Sequence, residues 1–142
     1  RFFCYNFIMQ SFEICILQLL YLTALSDGEL APIELESIKA KLVTYPLLKT
    51  ISSNRREKVL SDLLGTLKDK TTDDLLDEIN QGIPSNLKET AYALALEVCA
   101  KDLDMHSSEL VFMKKVAKIF NLDKEMVNAL RKSVDVRYFA DK

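Results

Sequence analysis

Residues 27–38 read Asp27-Gly28-Glu29-Leu30-Ala31-Pro32-Ile33-Glu34-Leu35-Glu36-Ser37-Ile38, and the pattern returns as Asp102-Leu103-Asp104-Met105-His106-Ser107-Ser108-Glu109-Leu110-Val111-Phe112-Met113. An offset of 75 residues pairs Asp27 with Asp102, Glu29 with Asp104, Leu30 with Met105, Glu34 with Glu109, Leu35 with Leu110 and Ile38 with Met113. Each copy is Asp-x-acid-apolar followed by Glu-Leu-x-x-apolar, so the match covers a loop and one face of the helix after it. Self-similarity that spans a helix end, a loop and a helix face marks a duplicated helix-loop-helix unit. Leu103 stands where Gly28 stands, so the second turn lacks the conformational freedom of glycine.

Working outward, Ser11 caps a helix expected to reach about Leu25, closed by Ser26-Asp27-Gly28. Pro32 suits a first helical position and opens a second helix to about Val43, which Tyr45-Pro46 ends. A third helix from about Ser53 carries Val59, Leu60, Leu63, Leu64 and Leu67 at three/four spacing, and a short fourth from Thr72 carries Leu75, Leu76 and Ile79 before Gly82. After Ile83-Pro84-Ser85 a fifth helix is expected from about Asn86 to Ala100, a sixth from Ser107 to Phe120, and a seventh from its cap Asp123 to around Val134. No stretch alternates as a strand would. The first and fifth helices are apolar on nearly every side, which marks them as a central buried pair that the amphipathic others wrap. The expectation is an all-α fold of about seven helices, two pseudo-two-fold-related helix-loop-helix halves in one domain over residues 1–142, with 1–10 an apolar N-terminal extension.

Composition agrees. A chain of 142 residues with 49% hydrophobic and 28% charged residues, 3 Gly and 3 Pro can bury a substantial core without disulfides. A net charge of −2 gives no basic field to hold nucleic acid. Cys4, Cys15 and Cys99 lie among apolar residues without CxxC spacing, as buried reduced thiols do, and point to a reducing, cytoplasmic compartment. The apolar stretch from Phe2 to Leu25 is long enough to raise a membrane span, but Asn6, Gln10, Ser11, Glu13 and Gln18 interrupt it, and a charged residue inside a span costs roughly 2.5 kcal/mol or more. It does not read as a secretory signal. Peripheral membrane or partner association through the N-terminal apolar segment stays open, as does a homo-oligomer.

The chemistry concentrates in six carboxylates: Asp27, Glu29 and Glu34, and Asp102, Asp104 and Glu109. Two carboxylates about 4 Å apart repel by roughly 4 kcal/mol at an effective dielectric near 20. A close cluster therefore calls for a cation, a proton or a basic neighbour, and among cations the hard, oxygen-seeking Ca²⁺ or Mg²⁺ fits best. The spacing is not that of an EF-hand loop. Zinc finds one histidine, His106, and no clustered cysteines, and a di-iron centre finds no Glu-x-x-His. The plain alternative is that Asp27 and Asp102 close turns while Glu34 and Glu109 complement helix dipoles. By the same logic Asp73, Asp74, Asp77 and Glu78 form a solvated helix start, and Arg55, Arg56, Lys58, Lys114, Lys115 and Lys118 form exposed faces. No phosphate loop, nucleophile-base pairing or dinucleotide fingerprint is present, so the chain is expected not to be an enzyme.

The segment Leu22-Thr23-Ala24-Leu25-Ser26-Asp27-Gly28-Glu29-Leu30 with Glu34-Leu35, and its echo Cys99-Ala100-Lys101-Asp102-Leu103-Asp104-Met105 with Glu109-Leu110, resembles the TerB-like family of tellurite-resistance proteins. The resemblance runs from about Ser11 to the seventh helix. It implies an all-α fold of about seven helices, an acidic cation-binding surface, and a role in tellurite and other stress responses and in membrane-proximal complexes. The acidic motif carries over to Asp27, Glu29 and Glu34 with Asp102, Asp104 and Glu109 as counterparts. Ser26, Lys101 and Leu103 depart from the family pattern, and Lys101 is placed to neutralise the second half-site itself. Two readings lead at this point: a cytoplasmic accessory protein that binds a divalent cation at paired acidic loops and docks a protein partner, and a metal-free interaction module whose acidic loops form the binding face. A third, an enzyme using the carboxylates, needs a pocket that the sequence does not reveal.

Overall fold

The structure, a computed structural model, describes residues 11–27, 32–100 and 107–138. Among them the chain forms seven α-helices: α1 (Phe12–Ala24), α2 (Pro32–Leu42), α3 (Ser53–Thr66), α4 (Thr72–Gly82), α5 (Lys88–Cys99), α6 (Ser107–Ile119) and α7 (Lys124–Tyr138). Short 3-10 turns occupy Leu25–Asp27, Pro46–Leu48 and Ser85–Leu87, and no strand occurs among the described residues. The all-α class read from the sequence is the class observed.

The helices start where short polar side chains can take up the orphan N–H groups of a first turn. Ile14 N–H donates to Ser11 Oγ at 3.3 Å, Arg55 N–H to Ser52 Oγ at 3.1 Å, Asp74 N–H to Thr71 Oγ1 at 3.1 Å and Met126 N–H to Asp123 Oδ2 at 3.1 Å. Pro32 and Pro46 each take a first helical position, where the missing N–H costs nothing. The end of α6 is set differently. Asn121 adopts φ 54°, Asn121 N–H donates to the Lys118 carbonyl at 3.0 Å and Leu122 N–H to the Ala117 carbonyl at 3.1 Å, a Schellman closure made without glycine.

The central pair is α1 and α5, packed against each other, with α3 and α4 also lying on α1, α6 on α5 and α4, and α7 on α5. On α1 every residue from Ile14 to Leu17 and from Leu19 to Ala24 is buried; on α5 Ala91, Tyr92, Ala95, Leu96, Val98 and Cys99 are. Each leucine so enclosed contributes about 1.5–3 kcal/mol of hydrophobic stabilisation. Thr23, the buried polar residue of α1, donates its hydroxyl to the Leu19 carbonyl at 2.7 Å, so the apolar centre holds no unmet donor there. The outer helices close the core with Ile38 and Leu42, Val59, Leu60 and Leu63, Leu75, Leu76 and Ile79, Phe112, Met113 and Val116, and Val134. The seventh helix runs to Tyr138, a full turn past the end expected from the sequence.

Among the described residues no helix is long and apolar enough to cross a membrane; α1, the most apolar, has 13 residues. Cys15 and Cys99 are buried and form no disulfide among the described residues, and burial pushes the Cys15 thiol up to about 11, which leaves it protonated and unreactive at neutral pH. Cys4 and the apolar extension 1–10 lie outside the described residues.

Candidate cation site

Asp27 ends the 3-10 turn that follows α1, Glu34 stands in the first turn of α2, and Glu109 is the third residue of α6. The Leu25–Asp27 turn is held by Ser26, whose hydroxyl donates to the Thr23 carbonyl at 2.7 Å, and it packs directly against α6. The tertiary fold therefore brings the turn that carries Asp27 onto the helix that carries Glu109, although 82 positions separate the two residues (Asp27 to Glu109) in the chain. Glu29, Asp102, Asp104 and His106, together with the side chains of Asp27 and Glu34, lie outside the described residues.

Glu109 is the informative carboxylate. Only 1% of its surface reaches solvent, which makes it one of the two buried polar or charged residues among those described. A carboxylate that merely complements a helix dipole has no need to leave solvent, and this one is enclosed. The reason lies in the register of α6. Glu109, Phe112, Met113 and Val116 follow three/four spacing, and all four are buried, so Glu109 continues the inward stripe by one turn at the end nearest the acidic loop. That stripe could have been read from the sequence by extending it backwards. A carboxylate withdrawn from water interacts strongly with the N–H groups and cations that face it, because the local dielectric is low.

The remaining charged stretches behave largely as solvated faces. Lys115 pairs with Asp73 at 3.1 Å and Lys58 with Asp62 at 3.5 Å, exposed contacts of small energetic weight. Glu78 is half-buried and pairs with Lys70, and Arg56 donates to the Ile51 carbonyl. Two shallow grooves lie on outer faces, one along α7 beside Asn128, Arg131 and Asp135, the other along α3 beside Glu57, Leu64 and Lys68; neither is lined by the Leu25–Asp27 turn or by Glu109.

A second polar cluster, which the sequence reading did not single out, gathers at the far ends of α2, α5 and α7. Tyr138 Oη donates to Glu97 Oε1 at 2.7 Å, and Arg137 Nη2 lies 2.5 Å from Glu97 Oε2 as a close charge contact without hydrogen-bond alignment. Lys41 Nζ donates to the main-chain carbonyl of Glu97 at 2.7 Å and sits 5.6 Å from the centroid of the Tyr138 ring. Burial acts to raise the Glu97 pKa, but the Tyr138 hydrogen bond and the Arg137 and Lys41 charges outweigh it and hold the carboxyl below its ordinary value. Tyr45, next to this cluster, has a buried hydroxyl with no hydrogen-bond partner among the described residues, and its pKa is pushed well up by burial first and then by Glu97 and Tyr138.

Compared with protein-family models, with curated proteins and with solved structures, the chain matches none.

Proposed function

We propose that this chain is a non-enzymatic, cytoplasmic accessory protein of the TerB-like kind, which holds a divalent cation between its two acidic units and docks a protein partner in a stress response related to tellurite resistance. The observation that supports it is the packing of the Leu25–Asp27 turn against α6 together with the burial of Glu109 at the start of that helix. The turn that carries Asp27, where the first unit begins, thereby touches the helix of the second, an offset of 75 residues along the sequence. The donor set is all oxygen, which suits Ca²⁺ or Mg²⁺ and not zinc.

Asp27, Glu29 and Glu34 from the first unit and Asp102, Asp104 and Glu109 from the second would hold the ion. Their role is electrostatic: the cation would offset the mutual repulsion of the carboxylates and tie the first unit to the second. Because such an ion binds the folded state and not the unfolded chain, it also stabilises the fold by mass action. An open acidic face for a basic partner, the metal-free alternative, calls for exposed carboxylates, and the burial of Glu109 favours the cation.

Calorimetric titration of chelator-stripped protein with Ca²⁺, Mg²⁺, Mn²⁺ and Zn²⁺ tests the reading. Saturable binding of Ca²⁺ or Mg²⁺ is expected at micromolar to sub-millimolar concentration, and the double substitution Asp27→Asn with Asp102→Asn is expected to abolish it. Heats no larger than dilution for every ion would sink the cation and leave the acidic loops as caps or a partner face.

A further inference from the structure

Lys41 lies in the last turn of α2 and Glu97 in the last turn of α5, so their contact joins the end of the helix that follows the first acidic loop to the end of the helix that precedes the second. The carbonyls of a last turn have no partner within their own helix. α5 carries no basic residue in its last turn, and Lys41 supplies that charged donor from 56 positions away, with the sign that the negative end of the helix dipole favours. The carboxylate of Glu97 meanwhile takes Tyr138 and Arg137 from α7, and the Tyr138 ring lies against the same Lys41 ammonium. Three helices far apart in sequence are thus fastened at one glutamate. The burial of that side chain, 17% exposed, makes each of these charge-assisted contacts stronger than its surface equivalent.

We propose that this clasp is a conformational device: it couples the two acidic units, and the last turn of α7 is its control point. When Tyr138 and Arg137 leave Glu97, the ends of α2 and α5 loosen together. A partner that seizes the last turn of α7 therefore acts on both units at once. The coupling does not depend on what the acidic loops bind.

Hydrogen–deuterium exchange of the full chain, read by mass spectrometry for wild type, Tyr138→Phe and Arg137→Gln, tests it. Both substitutions leave the buried core untouched, and α3 and α4 serve as the internal reference for a folded molecule. Amides of residues 41–45 and 97–100 are expected to exchange together, roughly three- to tenfold faster than in wild type, a factor in keeping with the loss of one hydrogen bond or one half-buried ion contact, while α3 and α4 keep their rates. Acceleration confined to α7, acceleration at only one of the two helix ends, an even rise across the whole chain, or no change at all would each overturn the coupling.

Discussion

Two residues show how position decides what a polar group does in this protein. Glu109 is a carboxylate set on the inward stripe of α6, and Tyr45 is a phenol whose hydroxyl is enclosed without a hydrogen-bond partner among the described residues. An unmet buried hydroxyl carries its full desolvation cost, whereas removing it costs only the contacts of one atom. Tyr45→Phe is therefore expected to raise the unfolding free energy by about 0.5–1 kcal/mol. Urea denaturation followed by circular dichroism checks this, and a loss of stability would mean that the hydroxyl makes a contact that matters. The sequence singles out Glu109 as one of six acidic-loop carboxylates, but the surroundings of neither residue announce themselves there. Tyr45 reads there only as the residue before a helix-ending proline, and Glu109 reads there either as a cation ligand or as a first-turn acid, its burial becoming legible only when the stripe of Phe112, Met113 and Val116 is extended back to it.

At the scale of elements, the local signals carried most of the secondary structure. Ser11, Thr71 and Asp123 cap helices whose starts are read within a residue or two, because an N-cap acts on amides two or three positions away and is complete within a short stretch. The all-round apolar character of α1 and α5 likewise identified the central pair. What no local signal could supply is the fastening of α2, α5 and α7, since Glu97 meets partners 56 and 41 positions distant in the chain. That fastening has a pH signature. The folded-state pKa of Glu97 is held below the ordinary value of 4.5, so its contribution to stability is fully present above about that pH and is lost as pH falls through the lower folded-state value. The acid limb of a stability-versus-pH curve is expected to flatten below pH 4.5 in Glu97→Gln relative to wild type. Parallel acid limbs for the two proteins would remove Glu97 from the account of acid unfolding.

For the whole molecule, the repeat is the organising feature of the sequence, and the packed helices set the turn that ends in Asp27 against α6. The offset that pairs Asp27 with Asp102 and Glu34 with Glu109 says that two units exist, but nothing in a linear repeat says that they meet. The contact that is made, between the turn at the end of α1 and α6, accompanies the packing of α1 on α5, a tertiary outcome of burying two helices that are apolar all round. The cation reading follows from that arrangement and stands or falls on whether both acidic units face one ion. Paramagnetic broadening by Mn²⁺, recorded on amide resonances of isotope-labelled protein, measures this most directly. Substoichiometric Mn²⁺ is predicted to broaden Leu25–Asp27 and the first turn of α6 together, ahead of α3 and α4, and excess Mg²⁺ or Ca²⁺ is predicted to restore them. Broadening of one unit without the other, or scattered over exposed carboxylates such as Asp62 and Asp73, would contradict a shared site.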